Sequence, residues 1–256
     1  MGFRDCVIHT PEEIGRIRVA AAKTAEVRDR LAELVRPGMT TLQIDLLAGE
    51  LIHAVGGESA FLNYRGFPGN ICISVNDEVV HGIGVDSRIV QECDIVSLDI
   101  GVSYGGAVGD SAITVGFGEL PAETARLLRA TREALMAGIQ AAVKDNYIRD
   151  ISRAIEKRAL RDQLGIVREL VGHGVGMRLH EPPDIPNFVT PIKGPRLVPG
   201  MVLAIEPMFN LGGHRVVSEA DGWTIRTRDG SLSAHFEHTI LITEQQPEIL
   251  TWPKTT

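Results

Sequence analysis

The chain has 256 residues, 44% of them hydrophobic, and a formal net charge of -7 at pH 7. That supports a large buried core, either one α/β unit or two closely packed halves, and the acidic balance argues against non-specific nucleic-acid binding. No apolar run reaches the roughly 20 residues of a membrane span, and the opening MGFRDCVIHTPEE lacks the basic-then-apolar order of a signal peptide. Met1-Gly2 has the form of a myristoylation start, but Cys6 stands where Ser or Thr is wanted. Cys6, Cys72 and Cys93 are odd in number and lack CxxC spacing, which argues against a disulfide framework and a thiolate zinc site and fits a reducing cytoplasm.

Thr10-Pro11-Glu12-Glu13 predicts a helix start, with Thr10 as cap, Pro11 at the first helical position and Glu13 closing a capping box. The helix should run to about Val35, where Pro37-Gly38 ends it. Arg16, Arg18, Lys23, Arg28, Arg30 and Arg36 make it locally basic, although interleaved acids read as a solvated face. A second helix opens at Thr40 to Gln43 and stops at Gly56-Gly57. A glycine-, aromatic- and asparagine-rich stretch from Phe61 to Asn70 precedes a short strand, Ile71 to Val75, the loop NDEVVHGIG, and a hairpin from Asp94 to Thr114.

The order repeats from Pro121. Helices are expected to about Ala142 and from about Ile148 to Leu164, then a strand near Ile166 to Val171 and a glycine-rich loop. Asp94-Ile-Val-Ser-Leu-Asp99 and Met201-Val-Leu-Ala-Ile-Glu206 each place a carboxylate five residues after a strand opens, which implies two similar halves, about 10–118 and 119–245. The Pro-rich section Leu179 to Gly200 should carry little regular structure. The chain should end in an antiparallel pair, Trp223 to Thr227 and about Ser233 to Ile242, turning at Asp229-Gly230.

Chemistry concentrates where strand physics would prefer apolar residues. Asp99 and Asp110 sit symmetrically about Tyr104-Gly105, so a hairpin closed there sets them opposite each other with Cβ atoms about 5 Å apart. Two like charges that close need either a shared proton or intervening cations. His173 in GHGVG, Glu206 at the end of an apolar strand and Glu237 between His235-Phe236 and His238-Thr239 add three more such groups. Each alone reads as a turn residue, a cap or an ion-pair partner. Together, four carboxylates and an imidazole with few Arg or Lys nearby match a site for two divalent cations, with mixed O and N ligation favouring Mn, Fe, Co or Zn.

The segments VNDEVVHGIG, LDIGVSYGGAVGDS, GHGVGMRLHEPP, AIEPM and HFEHT resemble, in order and spacing, the five motif blocks of the type I methionine aminopeptidases. The resemblance runs from about Thr10 to Thr251. It implies an α/β pita-bread fold, with two pseudo-symmetric halves, a curved and mainly antiparallel sheet, and helices on its outer face, acting as a single catalytic domain. It implies a cytoplasmic metalloaminopeptidase that removes the initiator Met from nascent chains with a small second residue. By resemblance Asp99 chelates one of two metals (Co, Mn, Fe or Zn), Asp110 and Glu237 bridge both, and His173 and Glu206 complete the other. A hydroxide between the ions is the implied nucleophile, with Glu206 as proton shuttle. His81 would bond the leaving-nitrogen region and His180 the carbonyl oxygen.

Phe61, Tyr64, Phe67, Cys72, His81, Leu179 and Trp223 would line the Met pocket, and Asn76, Glu78 and Ser233 align with a monovalent-cation site. The departures are Gly84 where Pro is usual, Ser111 where Thr is usual, and Phe61 and Phe67 where Cys and Tyr are common; none removes a ligand. The implied partners are nascent N-termini with at most transient ribosome contact, and a monomer is expected. The nearest rivals are an Xaa-Pro aminopeptidase or dipeptidase of the same fold and a non-catalytic binding protein of that fold.

Overall fold

The computed structural model describes residues 6–252, so Met1-Gly2 lies outside the described residues. Two helix pairs punctuate the chain. Helix α1 (Pro11–Leu34) has the predicted capping box: the Thr10 hydroxyl accepts from the Glu13 N–H and the Glu13 carboxylate from the Thr10 N–H. Thr40 and Gln43 repeat the device at α2 (Thr41–Ala54). Each box satisfies two N–H groups that a helix start leaves unpaired. Helices α3 (Ala122–Ala141) and α4 (Ile148–Arg161) pack on each other in the second half.

The first sheet is built on the hairpin Ile95–Tyr104 and Ala107–Gly116, with Cys72–Val75 and Glu58–Ser59 on the other side of its first strand. The register differs from the one expected. Gly105 and Gly106 both have positive φ (60° and 73°) and form a two-residue turn, the geometry whose twist suits a hairpin. Tyr104 therefore pairs with Ala107, Asp99 with Ala112 and Gly101 with Asp110. The aspartates are diagonal neighbours on one face, about 7–8 Å apart by strand geometry, not a directly opposed pair.

A second antiparallel sheet runs Glu248–Ile249, His238–Leu241, Val202–Ile205, Gly172–Gly174, Glu181–Ile185. Its last strand corrects the expectation of an irregular Pro-rich section. EPPDI alternates buried and exposed residues on a sheet edge, where proline's missing N–H is tolerated. The strand expected near Ile166 to Val171 shrinks to Gly165–Ile166. The expected terminal pair is also replaced. Ile225–Thr227 pairs with Val216–Ser218 and Glu78–Val80, and the long last strand breaks in two, Ser233–His235 joining Met208–Asn210 while His238–Leu241 joins Val202–Ile205. Among the described residues no helix is long and apolar enough to cross a membrane.

Apolar residues of α1, α2 and the first sheet make one core, and those of α3, α4 and the second half's strands another. Helix α1 lies directly on the hairpin. Gly109, next to Asp110, permits that approach: a Cβ there would lie 2.4 Å from Ala21 Cα and 2.7 Å from Ala21 N. Backbone atoms cannot rotate away, so Gly109→Ala should lower stability by about 1–3 kcal/mol. Urea unfolding of the metal-free protein measures this, and a loss below about 0.5 kcal/mol, the range of an ordinary surface change, would contradict the close packing.

Candidate metal centre

The strands converge on one cavity. Asp99 and Asp110 enter it from the hairpin, His173 from Gly172–Gly174, Glu206 from the residue after Val202–Ile205, and Glu237 from the break between Ser233–His235 and His238–Leu241. That break aims Glu237 inward while its N–H donates to Ala112 O at 3.0 Å. Hydroxyls join the two ligand-bearing segments. Thr239 Oγ1 donates to Asp110 O (2.7 Å), Ser111 Oγ donates to Glu237 O (2.7 Å), and Arg28 Nη1 donates to Ser111 Oγ (2.7 Å). Ser111, one of the departures, keeps the hydroxyl this contact requires.

Asp110, His173 and Glu237 each bring a ligand atom within 4.8 Å of the others. His173 Nε2 is also 3.4 Å from Glu206 Oε1 and 3.8 Å from Asp110 Oδ2. The backbone fixes its tautomer: Nδ1 faces Gly174 O at 2.9 Å, a carbonyl that can only accept, so Nδ1 carries the hydrogen and Nε2 presents a lone pair.

Burial and mutual repulsion act on the carboxyls. Asp99 is raised to about 7 by desolvation. Burial, then neighbouring carboxylates, push Asp110, Glu206 and Glu237 well above the usual range, with Arg28 a small opposing influence on Glu237. Asp99 Oδ1, Asp110 Oδ1 and Glu237 Oε1 are buried without a hydrogen-bond partner. Orphaned carboxylate oxygens facing one cavity with an imidazole lone pair are a donor set for divalent cations.

The cavity's other wall is apolar and aromatic. Cys72 pairs in register with Asp99, Phe67 packs edge-on to Trp223 at 5.2 Å, and Phe61 and Leu179 are buried beside them. His180 Nδ1 is 2.9 Å from Tyr64 Oη, and its ring lies 4.3 Å from the His173 ring. His81 holds a positive φ of 59° at the cavity wall, and burial lowers its pKa. At about 190 Å³ the cavity is smaller than the roughly 300–1,000 Å³ of drug-sized ligand sites, which suits one side chain. Every residue expected at the metals or the Met pocket lines it.

The cation trio is less open. Asn76's amide is committed to Asp94 and to the Ile95 N–H, and Glu78 holds the Val75 N–H and Arg226; Ser233 Oγ is buried and unpartnered. Gly84 also has a reason. A Cβ there would sit 2.8 Å from Asp45 Cβ, and Asp45 accepts from the Asn70 and Ile71 N–H groups.

Sequence reasoning missed Val80, Leu170 and Met208, which complete the apolar wall, and His235, which is 1% exposed. The signal for His235 was present in HFEHT, where two histidines flank the ligand.

The sequence matches the model of metallopeptidase family M24 over residues 15–244, and the chain belongs to that family and is a metal-dependent hydrolase. More particularly, it is 46% identical to "Methionine aminopeptidase 1" of Bacillus subtilis over 245 residues, 96% of this chain and 98% of the relative. The crystal structure of methionine aminopeptidase from Thermotoga maritima superposes with a TM-score of 0.93 at 42% identity, covering 96% and 99% of the two chains. Prolidase from Pyrococcus furiosus shares the fold at a TM-score of 0.78 and 22% identity, with this chain covering 66% of it. The expected pita-bread architecture is thus the one observed.

The raised carboxyls predict a pH dependence. Unfolded, they ionise near 4; folded, they keep protons to higher pH, about 7 for Asp99. Between those values the folded state binds more protons, so metal-free protein loses stability as pH rises. Its unfolding midpoint should fall between pH 5 and pH 8, and Asp99→Asn should flatten that fall. Equal slopes for the two metal-free proteins would contradict the shift.

Proposed function

We propose that this chain removes the initiator Met from new polypeptides whose second residue is small. The observation that carries the reading is one cavity joining five metal-type ligands to an apolar wall of Phe61, Phe67, Cys72, Leu179 and Trp223. The long, polarizable Met side chain suits such a wall. The near full-length relatives named methionine aminopeptidase support the same reading.

Two divalent ions, of Co, Mn, Fe or Zn, would be held by Asp99 on one side, Asp110 and Glu237 between, and His173 and Glu206 on the other. When bound, such ions polarise the scissile carbonyl and lower the pKa of water. The chain's own residues do the rest. Glu206 takes a proton from the attacking water on a carboxylate oxygen and passes it to the leaving amine nitrogen. With Nδ1 turned to Tyr64, His180 leaves Nε2 to donate to the carbonyl oxygen as negative charge develops there. His81 hydrogen-bonds the leaving-nitrogen region. Burial lowers the pKa of both histidines, so both act as neutral groups.

A monovalent cation near Asn76, Glu78 and Ser233 belongs to the same proposal, with Ser233 Oγ and backbone carbonyls as its donors. So do a cytoplasmic monomer with one catalytic domain of halves 10–118 and 119–245, and a transient ribosome contact for which the basic residues of α1 are the only support.

Metal-replete protein should release Met from peptides beginning Met-Gly or Met-Ala. Asp110→Ala should reduce the rate by at least the roughly 100-fold that losing an outer partner of a metal ligand can cost. Intact Met-Gly and Met-Ala peptides alongside cleavage of Xaa-Pro peptides would replace this reading with the Xaa-Pro hydrolase.

A further inference from the structure

His235 ends the short strand Ser233–His235, opposite Met208. Its backbone is clamped on both sides by one side chain: the His235 N–H donates to Thr114 Oγ1 at 2.9 Å, and Thr114 Oγ1 donates to His235 O at 2.7 Å. The ring is therefore held facing the cavity, 1% exposed, with neither nitrogen hydrogen-bonded. A buried imidazole without a partner is costly and calls for a role. A carboxylate stands within reach of it, that of Glu206. His235 Nε2 stands 3.9 Å from Glu206 Oε2, while His173 Nε2 faces the other oxygen, Oε1, at 3.4 Å. Glu206 thus lies between two imidazoles, one at each oxygen.

We propose that His235 is a positioning residue for Glu206, its Nε2–H donating to Oε2 so that Oε1 stays turned to His173 and the metal they share. The ligand atoms within 4.8 Å of one another belong to Asp110, His173 and Glu237, and the His235 ring stands outside that group, against Glu206. The 3.9 Å separation closes by carboxylate rotation as the centre loads, in the way that hydrogen bonds at reactive sites tighten on complex formation. A group that both ligates a cation and relays a proton needs one fixed orientation, and a donor on its second oxygen supplies that. The inference rests on the metalloaminopeptidase reading above.

Co(II) titrated calorimetrically into metal-stripped wild type, His235→Leu and His235→Gln, with steady-state kinetics on a Met-Ala peptide, tests it. His235→Leu should weaken Co(II) binding roughly 10–100-fold, the range for outer partners of metal ligands, and lower kcat with KM little changed. His235→Gln, which keeps an N–H donor, should recover most of both. Should the Leu variant fail to fold, His235→Met is the donor-free comparison. Donor-free protein within twofold of wild type in both measures, or Leu and Gln variants equally impaired, would overturn the role of His235 alone. Wild-type protein that binds no Co(II) and releases no Met would overturn the parent reading as well.

Discussion

Four carboxyl groups share one cavity, and most of the surrounding structure bears on that crowding. Charge in a buried site is disfavoured unless countered, and Arg28, whose charge acts on Glu237, contacts Ser111 behind it rather than any of the four carboxylates. Without metal, the groups hold protons to unusually high pH. With metal, the same crowding becomes a coordination shell. The fold therefore carries a destabilised site whose relief is cation binding, and this couples stability to loading.

Holding that site requires rigid backbone on every side. The hairpin supplies two aspartates on one face, and hydroxyls of Ser111, Thr114 and Thr239 join its outer strand to the segment carrying His235 and Glu237. These bonds substitute for a regular ladder where the long terminal strand breaks. The break is functional: an unbroken strand from Ser233 to Ile242 would continue one sheet, whereas the observed one serves two sheets and frees Glu237 to point inward.

Much of this was legible in the sequence because local chemistry and tertiary structure agree. Thr10 with Glu13 and Thr40 with Gln43 are strong local signals, and the helices start where they say. The polar groups that line the cavity were visible as charges on otherwise apolar strands. The hairpin register was misread because symmetry about Tyr104-Gly105 looked compelling, while the turn is set by the positive φ available at Gly105-Gly106, a two-residue shift that keeps both aspartates on the same face. The EPPDI strand was hidden by its prolines, which only an edge position accommodates. Gly84 and Gly109 reveal their purpose only through helices folded against them. His235 was overlooked because its significance is a distance to Glu206, 29 residues earlier in sequence, that no local pattern encodes.

The central claim is that cations displace protons from this carboxyl cluster. Calorimetric titration of Mn(II) into metal-free protein at pH 6.5, repeated in buffers of different ionisation enthalpy, gives ion stoichiometry and proton release together. Two ions per chain with net proton release is the predicted result. Binding with no proton release, or no saturable binding at all, would contradict the account.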